Sequence, residues 1–399
     1  ETPVTDGPHE TPVLYETGIP FLSAEAVKDG ILDFNYKRGY ISLKDHERFK
    51  KKISPKKDDI FIVKSGATTG NVGIVNTDDI FDIWSPLALI RCNKTLAIQK
   101  YIYFYLLSTL FKAQVEFNWS FGTQQNIGMG VIERIKVILP PVSEQQKIAD
   151  FLDKKTAQLD KVKALLEEQI QKFKDYRASL IYKTVTKGLD QTVPMKDSGI
   201  DWIGQVPEGW GVKAIKYIFD EIGSGSTPKS DNEIFYDGDI NWIQSGDLYQ
   251  TDTVTSVSKT ISYQGFKSTS ALKIYKHPFI ALAMYGASVG NVAISCIDAC
   301  VNQAVVVMLG TSETVRFGKY AIEASKNNLI FSAQGGTQPN ISQNLIKNWS
   351  IPQPKNEEQE QVVDFLDKKT VQIDKLIQIK NEQIKNINKQ RQTLIYDYV

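Results

Sequence analysis

The chain of 399 residues is 42% hydrophobic and 23% charged with a formal net charge of +1, the balance of a soluble globular protein of two or three domains. It has no run approaching the roughly 18 apolar residues that cross a bilayer and no basic-then-apolar leader, so a cytoplasmic protein without membrane contact is expected. The odd set Cys92, Cys296 and Cys300 argues against a disulfide framework, and the near-zero net charge announces no nucleic-acid partner by itself.

In chain order, residues 1–141 read as a mixed α/β segment. Ile60 to Val63 and Val72 to Val75 are β-branched runs of strand type, and Leu96 to Gln114 carries Ile98, Ile102, Leu106 and Leu110 on one helical face. Pro140-Pro141 ends the segment, with Ser143 as the expected N-cap and Gln146 at the capping-box position of a long helix over 142–188. Gly188 fits its C-cap. A Pro-, Trp- and Gly-bearing linker opens a second mixed segment over 189–354, and residues 355–399 form a second long helix.

The two helices are one unit used twice. Glu144 to Val185 returns, shifted by 214 residues, as Glu358 to Val399, with Asp-Phe-Leu-Asp-Lys-Lys-Thr in both. Ile148, Leu152, Leu159, Val162, Leu166, Phe173, Tyr176 and Leu180 follow the spacing of a coiled-coil seam, with Lys155 and Gln169 as polar gaps. The second copy repeats the seam through Val362, Leu366, Ile373, Leu376, Ile387 and Leu394. Each repeat lacks Pro and Gly, which predicts uninterrupted helices of about 42 residues, roughly 63 Å long. Because a domain separates them in the chain, the second helix is expected to retrace the first as an antiparallel pair with pseudo-two-fold symmetry.

The mixed segments are related more distantly. Gly66 to Val72 (GATTGNV) matches Gly286 to Val292 (GASVGNV), and Gly122 to Ile127 (GTQQNI) matches Gly336 to Ile341 (GTQPNI). Thr2-Pro3 and Tyr15 align with Thr227-Pro228 and Tyr236, which leaves the first module without the lead-in Asp201 to Gly225 and suggests a native protein that begins earlier. A duplicated frame with divergent filling fits two modules doing one kind of job on different targets.

Candidate binding residues come from three places. Lys37, Arg38, Lys50, Lys51, Lys52, Lys56 and Lys57 lie in a basic run interleaved with Tyr36, Tyr40 and Phe49, either a solvated face or a patch that tracks a DNA backbone. Thr68, Thr69 and Ser288 sit in the shared glycine-bounded turn, which is a tight turn or a phosphate contact. Gln124, Gln338 and Lys229 belong to the other shared segments.

Catalytic signatures are missing. The turn lacks the order of a P-loop, there is no Asn/Asp-Pro-Pro-Tyr/Phe set, and His9, His46 and His277 occupy no nucleophile motif. His277 with Cys296 and Cys300 lacks a fourth zinc ligand. The chain reads as non-catalytic, against the alternatives of a single-chain DNA-modifying enzyme with an unrecognised centre and a coiled-coil adaptor that does not bind DNA.

Three features together resemble the specificity subunit of type I restriction-modification enzymes, over essentially the whole chain. They are the repeated helix start (Pro140 to Asp153, Pro354 to Asp367), the segment Asp197 to Trp210, and the pair Gly225 to Lys229 and Trp242 to Leu248. The resemblance implies an α+β architecture of two globular mixed α/β target-recognition domains separated by two long antiparallel coiled-coil helices. It implies double-stranded DNA as ligand, one half of an interrupted, asymmetric site for each module. It also implies two methylation subunits packed on the helices, with restriction subunits completing the complex. No cofactor is expected in this chain; S-adenosylmethionine, ATP and Mg2+ belong to the partner subunits. The partner-facing residues expected on the helices are Phe151, Leu152, Leu159, Leu166, Phe173, Phe365, Leu366, Ile373, Ile384 and Ile387.

Overall fold

The computed structural model describes residues 3–117, 126–333 and 340–399. The chain divides into two compact units, residues 1–168 with 380–399, and residues 169–379. Each long helix is continuous but is shared: its first part belongs to one unit and its second part to the other.

In the first unit β1 (Thr5–Asp6), β2 (Ile19–Leu22), β3 (Val27–Lys28), β4 (Ile31–Leu32) and β5 (Gly39–Ile41) precede helix α1 (Leu43–Phe49). Then come β6 (Ile60–Val63), β7 (Val72–Ile74), β8 (Asp82–Ile83) and β9 (Leu87–Ile90), followed by α2 (Gln99–Leu107), α3 (Thr109–Phe117), α4 (Met129–Arg134) and the long α5 (Val142–Lys187). The large sheet has the order β1-β9-β6-β7-β4-β3 and a small sheet the order β5-β2-β8. Central strand β6 is buried along its whole length, as a continuous apolar run requires when both faces are covered.

The second unit contains β10 (Met195–Asp197), β11 (Gln205–Pro207), β12 (Gly211–Ala214), β13 (Glu221–Ser224), β14 (Tyr236–Ile243), β15 (Thr253–Val254), β16 (Thr260–Ile261) and α6 (Tyr263–Lys267). It continues with β17 (Phe279–Ala283), β18 (Val292–Ser295), β19 (Cys300–Val301), β20 (Val305–Leu309), α7 (Ser312–Ser332), α8 (Gln343–Asn348), β21 (Ser350–Gln353) and α9 (Asn356–Tyr398). Its sheets β13-β20-β17-β18-β15 and β16-β14-β19 repeat the first unit's order, with only the edge strand β3 lacking a counterpart among the described residues. The duplication read from short motifs is therefore a duplication of topology.

The structure changes the alignment of the module starts. A Cβ on Gly7 would lie 2.4 Å from the Ile83 carbonyl oxygen, and one on Gly225 would lie 1.7 Å from that of Val301. Both glycines mark the same crossing, where the chain passes against the parallel strand of the small sheet. Gly7 thus stands for Gly225, and the match of Thr2-Pro3 with Thr227-Pro228 is replaced. Nor is Leu189 to Gly211 a linker: β10 and β11 form a hairpin, Trp202, Ile203, Val206 and Trp210 enter the core, and Trp202 donates its indole N–H to the Ser350 carbonyl at 3.0 Å. Strand β12 covers β21 and leaves Ile351 buried. In the first unit the counterpart segment, residues 136–139, exposes Ile138 and Leu139.

Helix 96–114 is likewise broken at Ser108, whose hydroxyl bonds to the Tyr105 carbonyl and accepts the Phe111 N–H, capping one helix while ending another. The long helix α5 begins at Val142, one residue before the expected cap Ser143, because the Pro141 carbonyl accepts the first N–H groups. The amide that secures this start is Gln145, not Gln146: it donates to Leu96 and Pro140 and accepts from Ile98 N–H. Gln359 donates in the same way to Pro354. Gly188, at φ +73°, closes the helix as expected.

The helix seam is shifted at every second position. Thr156, Ile170 and Thr370 are buried and Lys163 and Arg177 half-buried, whereas the expected Val162, Tyr176 and Leu376 are 46%, 56% and 42% exposed. A seam running 152, 156, 159, 163 and one running 152, 155, 159, 162 both advance by threes and fours. Within each unit the helix segments run antiparallel. In the first, the ring of Phe151 packs on that of Tyr398 at 4.6 Å and Asp160 pairs with Arg391 at 3.4 Å. In the second, Asp374 pairs with Arg177 at 3.3 Å. These two ion pairs are repeats of one another.

The seam assignment yields a direct test on two leucines of α9. Leu366→Ala removes a fully buried side chain and should cost about 2–5 kcal/mol. Leu376→Ala should cost under about 1 kcal/mol, as exposed sites do. Denaturant midpoints of the unfolding transition compare the two, and equal losses would restore the seam drawn through Leu376.

Candidate nucleic-acid interface

The basic run folds into β5, α1 and the loop leading to β6, and most of its charge is already answered within the first unit. Lys52 donates to Asp6 at 2.6 Å and to the Gly7 carbonyl at 2.8 Å, and Lys64 reaches the same carboxylate. Burial alone would raise the Asp6 carboxyl, but the two lysines outweigh it and hold it below its ordinary range. Lys57 pairs with Asp78, Arg48 with Glu10 and Asp45, Lys50 with Glu47, and Arg38 with Glu25. Lys52 thus ties the end of α1 to the first strand while remaining exposed. Lys51 and Lys56 remain exposed.

Cation–ring contacts shape the other end of the run. The Lys28 ammonium lies 3.1 Å from the Tyr36 ring centroid, the Lys37 ammonium 5.2 Å from Tyr40, and the Arg38 guanidinium 4.4 Å from Trp84. Tyr36 is 45% exposed, so this surface offers aromatic faces beside fixed charges, the combination that grips nucleic acid through phosphate and base contacts alike. Beneath it His46 and Asp82 form a buried pair at 2.6 Å, and burial pushes the Asp82 carboxyl up. Residues 36–41 and 43–49 on their own gave no sign of Asp82, which arrives on β8, or of Trp84 just after it.

In the second module Lys229 is exposed, Lys273 is taken by Glu221 and Lys276 by Asp298, each at 2.6 Å. The shared turn stands at the end of the central hairpin in both modules. Thr68 is exposed, Thr69 spends its hydroxyl proton on the Gly66 carbonyl at 2.7 Å, and Ser288 is buried. Ser288 is therefore withdrawn as a surface contact: α7 packs over its turn, where Lys326 donates to the Asn291 side chain at 2.6 Å. Gln124 and Gln338 lie outside the described residues. Cys300 is buried, its thiol pushed up to about 12 by that burial, while Cys296 is exposed and His277 is held by Asp298 at 2.8 Å.

On the helices the expected partner residues divide. Leu152, Leu366 and Ile373 are enclosed in their own units and present nothing to a partner, because the repeat buries them against its own module. Leu159, Leu166, Phe173, Ile384 and Ile387 are half-buried along the seam, and Phe151 and Phe365 are partly open. The aspartate of the repeated motif clasps the module helix: Lys100 pairs with Asp153 at 2.7 Å, and Arg316 and Tyr320 both reach Asp367 at 2.6 Å.

The family model described as Type I restriction modification DNA specificity domain matches residues 13–172 and 207–389. The chain belongs to this family. It is 24% identical over 392 residues to a putative type I restriction enzyme MjaX specificity subunit of Methanocaldococcus jannaschii, covering 95% of this chain and 85% of that one. It is also 24% identical over 398 residues to the MjaVIII specificity subunit of the same organism, covering 94% and 84%. A solved structure titled for complex assembly and conformational transition of the type I R-M system shares the fold, with a TM-score of 0.69 at 15% identity over 95% of this chain and 90% of that one. The chain is a type I DNA specificity subunit, and among its described residues no helix is long and apolar enough to cross a membrane.

The exposed lysines separate contact from scaffold. Replacing Lys51 and Lys56 by Ala should weaken DNA binding at every sequence and lower the salt slope by close to two units, with half-site preference intact; Lys52→Ala should instead lower thermal stability. Binding titrations across a salt series decide, and an unchanged slope for the first pair would leave it a solvated face.

Proposed function

We propose that the chain reads a bipartite, asymmetric duplex site, one half with each module, and holds two methylation subunits on its repeated helices. Restriction subunits complete the complex, and methyl transfer, ATP use and cleavage belong to the partners rather than to this chain. The observation that carries the reading is a stripe that occurs twice. In the first unit it consists of Phe151, Lys155, Gln158, Val162 and Leu165, and in the second of Phe365, Lys369, Gln372, Leu376 and Ile379. These positions advance by four, three, four and three along an open helix face. Leu165 is 49% exposed and Ile379 42%.

Apolar side chains at coiled-coil spacing on an open face are the signature of a helix surface that receives another helix. The stripe's phenylalanine, lysine and glutamine are identical in both copies and its remaining positions stay apolar, while neighbouring exposed positions such as Ala164 and Gln378 differ. Two near-identical surfaces call for two copies of one partner; divergent modules permit two different half-sites.

Leu165→Asp alone should leave one methylation subunit bound per chain, Ile379→Asp alone likewise, and the double variant none. Intact-mass measurement of the assembled complexes reads this directly. Retention of both copies by the double variant would remove the stripe from the interface.

A further inference from the structure

The two modules share one exposed feature that their cores do not require. In both, the central hairpin ends in the same turn, bond for bond. Thr69 N–H donates to the Gly66 carbonyl and Asn71 N–H to that of Thr68, at 3.2 and 3.0 Å; Val289 N–H donates to Gly286 and Asn291 N–H to Ser288, at 3.2 and 2.9 Å. The bounding glycines have φ of +107° and +89° in one turn and +83° and +75° in the other, which accounts for them. The second shared segment docks beside each turn: Ile127 N–H donates to the Lys64 carbonyl and Ile341 N–H to that of Met284, both at 2.8 Å. Ile127 and Ile341 are core residues, which accounts for them too.

What remains is the tip. Ala67 and Ala287 are exposed, and a Cβ placed on the adjoining Gly66 or Gly286 would meet nothing within 4 Å. Among the described residues nothing fills that space, and both modules carry a single methyl group there. Asn126 and Asn340, beside the tips, are exposed and identical. A small, exposed tip shared by two otherwise divergent modules suits close approach of another surface.

On the reading proposed above, the two modules meet different base sequences, and the part of the duplex common to both half-sites is its sugar-phosphate backbone. We infer that the exposed tips of these turns, Gly66–Thr68 and Gly286–Ala287, with Asn126 and Asn340 beside them, are the sequence-independent backbone contacts of the two modules. The exposed tip backbone and the side-chain amides of Asn126 and Asn340 fix each module's register on the duplex, and discrimination falls to the surfaces in which the modules differ.

The test places a carboxylate at each tip, Ala67→Glu and Ala287→Glu separately, in the chain assembled with its methylation partner. Binding is measured to the preferred duplex, to duplexes altered in either half-site and to an unrelated duplex, across a salt series. Each variant should lose roughly tenfold in affinity on every duplex and about one unit of salt slope while keeping its half-site preference. Asn126→Asp, of the same shape and one more negative charge, should do the same and serves if a tip variant melts early. Unchanged affinity in these variants overturns the inference, as does a changed preference at one half-site, which would make the turn a base reader. Loss of a methylation subunit with DNA affinity retained in the assembled fraction also overturns it, in favour of a protein contact. The parent complex is measured alongside: if it prefers no duplex over another, the proposed function falls, whereas a sequence-specific parent with indifferent variants sinks only the backbone contact.

Discussion

Arg177 with Asp374, and Arg391 with Asp160, mark the register in which the two helix segments of each unit pack. A seam of aliphatic side chains advancing by threes and fours tolerates a slip of one heptad, because every apolar position finds another apolar position. The guanidiniums of Arg177 and Arg391 are largely covered at the seam while Asp374 and Asp160 stay about half exposed at its edge, so a slip would part each covered charge from its partner. The registry role attested for buried polar groups in coiled coils applies here. The two pairs follow from one repeat. Because the repeat carries aspartate and, farther along, arginine, antiparallel packing of the helix segments makes the same contact in each unit.

The second pair is built into a larger network. Arg177 also meets Glu323 and Asp252, and Lys319, nearly buried, reaches Asp252 at 2.6 Å and Glu323 at 2.8 Å. Burial alone would raise the Asp252 carboxyl, but Lys319 and Arg177 hold it below its ordinary range, so its contribution is complete above the unfolded-state value and fades as pH falls through the lowered one. The first unit clasps its module helix through different contacts, Lys100 with Asp153, Gln145 with Leu96 and Ile98, and Tyr101 with the Val399 carbonyl. One helical repeat therefore carries two modules attached by different side chains.

Recognition of DNA in such a frame divides by exposure. The modules agree in topology and in the turn at the end of the central hairpin. They differ in the surface around the small sheet, where the first module offers Tyr36, Tyr40 and Trp84 against Lys28, Lys37 and Arg38 and the second offers Tyr263 and Phe266 against Lys267. Shared geometry suits the uniform backbone of the duplex, and differing surfaces suit its bases.

Much was readable from residues alone. The 214-residue repeat, the length of two helices free of Pro and Gly, strands at Ile60 to Val63 and Val72, and the family resemblance all rest on local pattern, because periodicity and breakers act within a few residues of one another. Tertiary structure alone decided whatever depends on a distant partner. Thr156 rather than Lys155 enters the seam because steps of three and four are equivalent until the facing helix selects one. Gln145 rather than Gln146 secures the helix start because Leu96 and Ile98 lie beside it. Lys52, although exposed, is engaged by Asp6, forty-six residues earlier, and Ser288 is covered because α7 is laid over its turn. A sequence displays which charges and side chains a chain has; only folding determines which of them are already spent on one another and which remain for a partner.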